Sequence, residues 1–176
     1  MISFILAILC GACLLGLDQY TKIYISNNFV EGTTSGFIKL FNRDLIDITF
    51  IHNDGGAWGL LAGHTWVLLS ATIITMLICI ALLLKEGTRN KLMFWAITLV
   101  MFGGLGNMID RIFRGGEVVD FLHFSFWQSF PVFNVADCGV VVGAGLLVLY
   151  FVLSIIKEVK GKQQADSTEP VENNDE

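Results

Sequence analysis

Four long apolar runs, each closed by polar residues, organise the chain. The first extends from Ile2 to Leu17 and ends on Asp18-Gln19-Tyr20-Thr21-Lys22. The second, Trp66 to Leu84, carries no charge. The third, Leu92 to Met108, stops at Asp110 and Arg111, and the fourth, Gly139 to Ile156, stops at Lys157. At 1.5 Å of rise per residue a bilayer takes roughly 17–25 residues of helix. Each run reaches that length with its polar end included, so the predicted spans are 2–22, 66–84, 92–112 and 137–157. The first run has no basic start and no small-residue cleavage site, so it is expected to stay as a helix rather than be removed as a signal. It is also the shortest, which puts Asp18 near a membrane surface.

The connections differ in character. Lys85, Arg89 and Lys91 crowd the link between the second and third runs, and Lys157, Lys160 and Lys162 follow the fourth. Basic short loops stay in the cytoplasm. Four spans then put both termini inside and two segments outside, Ile23 to Thr65 and Ile112 to about Asn134. Residues 46–52 begin with polar–apolar alternation and are rich in β-branched and aromatic side chains, which predicts a strand. Gly55, Gly56 and Gly59 mark a bend after it. Val118 to Trp127 has the same strand-like composition. The expected fold is an all-α membrane protein with four transmembrane helices and a small extracytoplasmic β-sheet at the outer interface. Phe124, Phe126, Trp127 and Phe130 suit the headgroup zone.

Composition supports membrane insertion. Hydrophobic residues make up 54% and charged residues 15%, against about 25% charged in soluble domains. The net charge of −5 resides in the tail 163–176, which holds five acids and no base, leaving a neutral body. No basic surface for nucleic acid remains. A single membrane domain over 1–162 is expected, followed by an acidic, disordered cytoplasmic tail. Cys10, Cys13 and Cys79 lie in apolar runs and read as packing residues.

The polar residues that carry chemistry gather at one depth. Asp18 ends the first span; Asn107, Asp110 and Arg111 end the third; Asp120 lies in the outer connection; Asn134 and Asp137 open the fourth. Ionisable groups at membrane depth are functional candidates. Each also has a plainer reading. Asn134 and Asp137 fit a helix start. Asp110 and Arg111 could be a helix-end ion pair, and Asp18 could pair with Lys22 while the lysine snorkels outward. Asp120 could be an exposed loop acid, although Val119 and Phe121 flank it. Two neighbouring carboxyls share a proton, so one can activate water while the other polarises a carbonyl. That is aspartic-protease chemistry and needs no metal. No His-Glu-x-x-His helix, Gly-x-Ser-x-Gly elbow or phosphate loop is present. His123 is read as an ordinary interfacial residue. Gly103, Gly104 and Gly106 are read as sites of close helix approach. The competing class is a proton- or ion-coupled transporter that uses the same acids.

Five segments occur in an order that resembles the prolipoprotein signal peptidase (signal peptidase II) family. They are residues 18–22, His52-Asn53-Asp54-Gly55-Gly56-Ala57-Trp58-Gly59, Gly103-Gly104-Leu105-Gly106-Asn107-Met108-Ile109-Asp110-Arg111, Val118-Val119-Asp120-Phe121 and Phe133-Asn134-Val135-Ala136-Asp137. The resemblance implies a bacterial inner-membrane aspartyl endopeptidase, monomeric and working without cofactor or metal, that removes signal peptides from diacylglyceryl-modified prolipoproteins by cutting before the lipidated cysteine. It implies Asp120 and Asp137 as the catalytic pair. Asn107, Asp110, Arg111 and Asn134 would hold the pair and the substrate, and Asp18, Lys22 and Asn53 would order the outer elements and contact substrate. Membrane lipid is the other implied partner. Asp54 and Trp58 depart from the family's usual residues in the second segment, and Cys138 stands where serine is common.

Overall fold

The computed structural model describes residues 2–40, 43–86 and 90–166. Four helices follow the apolar runs: α1 (Ile2–Asn28), α2 (Thr65–Glu86), α3 (Lys91–Phe113) and α4 (Val135–Asp166). All four are long and apolar enough to cross a membrane. Three strands, β1 (Thr34–Leu40), β2 (Arg43–Asn53) and β3 (Val118–Phe124), form an antiparallel sheet in the order β1-β2-β3. The two segments expected outside the membrane therefore meet in one sheet, because β2 belongs to the first and β3 to the second.

Helix α3 is the centre of the bundle and packs against α1, α2 and α4. Asn90 caps its start, its side chain accepting from the backbone N–H of Leu92 (2.9 Å) and Met93 (3.2 Å). Cys79, Met93, Ile97 and Val100 are buried together between α2 and α3. A second apolar cluster, Ile25, Ile48, Phe50, Val119 and Phe121, fastens the end of α1 to the sheet. Outward-facing residues such as Leu9, Leu77, Val148 and Ile155 stay exposed, as expected for helices whose outer solvent is lipid.

The element boundaries differ from the sequence expectations for local reasons. Helix α1 runs past Lys22 to Asn28, since Ile25 is drawn into the sheet cluster. Helix α4 starts at Val135, ahead of residue 137, because Asn134 is its cap. It also continues to Asp166; the rest of the acidic tail, like Arg89, falls outside the described residues. Strand β3 ends at Phe124, where Trp127 N–H donates to the Phe124 carbonyl in a turn (3.1 Å). The expected sheet has a strand that the pattern did not reveal: β1 is exposed along residues 34–39, so no alternation marks it.

Candidate functional site

Strand β3 and the start of α4 bring the two predicted catalytic acids to one cavity. Asp120 sits in β3 between Val119 and Phe121, both buried, and is itself only 2% exposed. It is not the solvated loop acid that its position in a connection allowed. Asp137 is the third residue of α4. Its Oδ2 accepts the backbone N–H of Asn134 (3.1 Å), while Asn134 Oδ1 accepts the N–H of Asp137 (3.0 Å). This is a reciprocal capping box with aspartate in the usual Glu or Gln position. Capping and a place at the site are therefore compatible for the same residue.

Every oxygen of both carboxyls accepts one amide N–H. Asp120 Oδ1 takes Asn134 Nδ2 (2.6 Å) and Oδ2 takes Asn53 Nδ2 (2.8 Å). Asp137 Oδ1 takes Asn107 Nδ2 (2.6 Å), opposite the bond from the Asn134 backbone. Burial, and secondly the charge of Asp137, push the Asp120 carboxyl up to about 7 from its ordinary value. The amides of Asn53 and Asn134 and the charge of Lys22 act against that shift without overcoming it.

Beneath the pair lies a charged cluster that joins α1 to α3 and α4. Lys22 Nζ lies 2.9 Å from Asp18 Oδ2 and 2.9 Å from Asp110 Oδ2, with all three side chains 0% exposed. The i, i+4 pair with Asp18 forms as expected, but Lys22 does not snorkel. A second carboxylate and the Asn107 carbonyl (2.9 Å) replace the water that an ammonium would otherwise seek. Asp110 does not pair with its neighbour Arg111; it meets Lys22 and, at 3.3 Å, Arg114 Nε. Arg111 instead donates from Nη2 to the Gly55 carbonyl (2.8 Å), tying α3 to the bend after β2. Gln19, unremarked in the sequence, bridges Asp18, the Gly106 carbonyl and Asp110 through Nε2.

The glycines behave as close-approach sites. A Cβ on Gly103 would stand 2.5 Å from the Ala136 carbonyl oxygen, and one on Gly106 would stand 2.6 Å from Asp18 Oδ2. Asp18 Oδ1 in turn accepts the Ala136 N–H at 2.8 Å, so Gly106 protects a bond between α1 and α4. Gly106→Ala is expected to lose about 1–3 kcal/mol through overpacking and to slow any reaction at the pair. Thermal melts and rates measured side by side check this; an unchanged melt would show that Asp18 can yield freely.

The cavity has a volume of about 600 Å³ and is lined by Asn53, Asn107, Arg111, Asp120 and Asp137 among largely apolar walls. One wall is Val140, Val141 and Val142 of α4; Phe124, Phe130 and Phe133 form part of another. Phe124 and Phe130, expected only as headgroup anchors, have ring centroids 5.2 Å apart, and Phe133 lies 5.0 Å from Phe124. Trp58 closes the outer side. It is 65% exposed, its Nε1 donates to the Ser129 carbonyl (3.0 Å), and its backbone has φ 56°, a conformation uncommon for a bulky residue. Neither the valine wall nor the aromatic wall was recognisable beforehand, since both read as membrane contact. Asp18, Lys22 and Asp110 do not line the cavity and lie behind it.

A profile of the signal peptidase (SPase) II family matches residues 10–153. A lipoprotein signal peptidase of Bacillus pumilus is 38% identical over 153 residues, covering 86% of this chain and 92% of the relative. One from Desulfitobacterium hafniense is 39% identical over 144 residues, covering 82% and 91%. A solved structure of a bacterial membrane enzyme superposes with a TM-score of 0.75 at 32% identity, covering 89% of this chain and 90% of the other. These likenesses favour a peptidase over the transport reading. They extend across both aspartates and all four helices, and the chain belongs to the signal peptidase II family.

Proposed function

We propose that the chain removes signal peptides from diacylglyceryl-modified prolipoproteins, cutting before the lipidated cysteine with Asp120 and Asp137 as its catalytic pair. The observation that carries this reading is the meeting of the two carboxyls at one cavity, each oxygen held by an amide N–H. Asp137, at the N-terminal end of α4, takes the proton of a water as it attacks the scissile carbonyl, a position where the helix dipole favours negative charge. Asp120 holds the shared proton and donates it to the developing oxyanion. The proton acquired by Asp137 then passes to the leaving amine as the C–N bond breaks, and Asp120 recovers its proton from the collapsing diol. The two carboxyls titrate as a unit in this scheme.

The surroundings fit such a substrate. The valine wall of α4 offers an apolar face to a signal helix, and acyl chains can remain in lipid beside the cavity. Asn53, Asn107, Arg111 and Asn134 surround the reacting groups; Asp18, Lys22 and Asp110 support them from behind. All of these residues come from one chain, so a monomer suffices. Lys85 and Lys91 on one link, with Lys157, Lys160 and Lys162 beyond the fourth span, favour a cytoplasmic location for both termini. The site then faces outward from a bacterial inner membrane, at the depth of a lipid-anchored cysteine.

The direct test uses purified protein and one prolipoprotein prepared with and without its diacylglyceryl group, with products read by mass spectrometry. Cleavage of the lipidated form immediately before its modified cysteine is expected. Absence of that product under conditions where the protein stays folded would overturn the substrate assignment.

A further inference from the structure

We infer that Lys22 is a positioning residue for the reaction, acting through the side-chain amide of Asn107 rather than by touching substrate. The inference rests on the reading of Asp120 and Asp137 as the catalytic pair. Its observation is the way in which three asparagine amides are held while they donate to that pair.

A side-chain amide can turn over, exchanging its oxygen for its NH₂ group. Each of the three must present nitrogen, not oxygen, to a carboxylate. Asn53 is fixed because its Oδ1 accepts the Gly55 N–H (2.9 Å) while its Nδ2 reaches Asp120. Asn134 is fixed because its Oδ1 accepts the Asp137 N–H. Both anchors are backbone groups of the residue's own loop or helix start. Asn107 has no such anchor: its Oδ1 accepts Lys22 Nζ (2.9 Å) and Asn134 Nδ2 (3.0 Å). The ammonium is a donor without acceptor capacity. Turning Asn107 over would aim its NH₂ at that cation and at another NH₂, and would aim its oxygen at Asp137.

Lys22 is therefore the charged one of the two donors, with Asn134 Nδ2, that make Asn107 a donor to Asp137. Its own place is fixed by Asp18 on α1 and Asp110 on α3, at complete burial. Asp137 faces Asp120 on β3, Arg111 on α3, and Lys22 and Asp18 on α1. Without Lys22, only the neutral Asn134 Nδ2 holds Asn107 in the donating sense, so the amide more readily presents oxygen to Asp137, an arrangement that requires a proton between them and disfavours the ionised pair. Loss should appear in the chemical step and in its acid limb, with substrate affinity little altered.

The experiment measures kcat, KM, the kcat–pH profile and the thermal melt of the full chain in lipid. The variants are Lys22→Met, Asp18→Asn combined with Lys22→Met, Asn107→Ala, and Lys22→Met combined with Asn107→Ala. Lys22→Met alone leaves buried carboxylates without their cation and is expected to lower the melt. The charge-balanced Asp18→Asn with Lys22→Met recovers much of the melt, yet kcat stays down by about tenfold or more, the scale of a lost positioning contact. Its KM remains within roughly twofold, and its acid limb moves to higher pH. Adding Lys22→Met to Asn107→Ala lowers kcat little further, because both act by one route.

Recovery of kcat together with the melt would reduce Lys22 to a structural ion and overturn the inference. Multiplying effects of Lys22→Met and Asn107→Ala would overturn it as well. Asp120→Asn and Asp137→Asn, assayed alongside, separate the two levels. If they are inactive while the charge-balanced variant is normal, only the role of Lys22 falls; if they remain active, the catalytic pair itself is misassigned.

Discussion

Asp120→Asn and Asp137→Asn are each expected to retain less than about one-hundredth of the wild-type cleavage rate, since a positioned acid or base contributes roughly 10²–10⁴-fold. The substitution preserves shape and removes the proton chemistry. It also sets an NH₂ group against an existing N–H donor, because Asn53, Asn107 and Asn134 have their amides fixed in the donating sense. Each variant therefore forfeits one hydrogen bond, a loss of about 1 kcal/mol, which at Asp120 is uncompensated near pH 4 and outweighed near pH 7 by removal of a buried ionisable group. No variant should melt far below the wild type while the rates collapse. Single-turnover cleavage and thermal melts on the same preparations decide the matter. A variant that keeps more than about a tenth of the rate cannot have lost a working acid or base.

The second large effect is on pH dependence. The Asp120 carboxyl is pushed up to about 7 in the fold, first by burial and then by the charge of Asp137, against about 4 for an unfolded aspartate. At pH below about 4 the group is protonated in both states and contributes no difference. Between about 4 and 7 the unfolded chain releases the proton and the native state retains it, so the contribution of Asp120 to stability falls as pH rises. Above about 7 both states are ionised and the loss is complete, on the order of a few kcal/mol. The melt of Asp120→Asn should therefore gain on that of the wild type between pH 4 and 7 and then run parallel. A difference that is flat across this range would show that Asp120 ionises as freely in the fold as outside it. Cleavage should follow a bell, falling above about pH 7 as the shared proton is lost.

The large architecture was legible because lipid imposes a simple rule. Long uncharged runs such as Trp66–Leu84 must be helices. Asp120 was conspicuous because its neighbours Val119 and Phe121 are apolar, and they bury it. Asn134 and Asp137 showed their capping relation at a spacing of three. What remained hidden depends on contacts between distant parts of the chain. Lys22 read as a snorkelling lysine because Asp110 and Asn107 belong to another helix. The same distance concealed the attachment of Arg111 to the Gly55 carbonyl and the bridge made by Gln19. Strand β1 was missed for a local reason: its exposed residues carry no core-facing alternation. The cavity walls were missed because valines and phenylalanines facing a pocket look the same in sequence as those facing lipid.

The bond between Asp18 Oδ1 and the Ala136 N–H joins residues 118 positions apart, which bears on how the protein is made. Helix α1 is synthesised first and α4 last, so Asp18 enters the membrane long before its backbone partner exists. During that interval Lys22, itself held by Asp110 once α3 is in place, can steady the carboxylate, but the start of α4, with Asn134 and Asp137, is absent. A nascent chain stalled before the fourth span thus has a bundle without a reacting pair. With Asp137 as half of the proposed pair, the hydrolase becomes competent only on insertion of its final helix, and an incomplete product in the membrane has no means of cutting its neighbours.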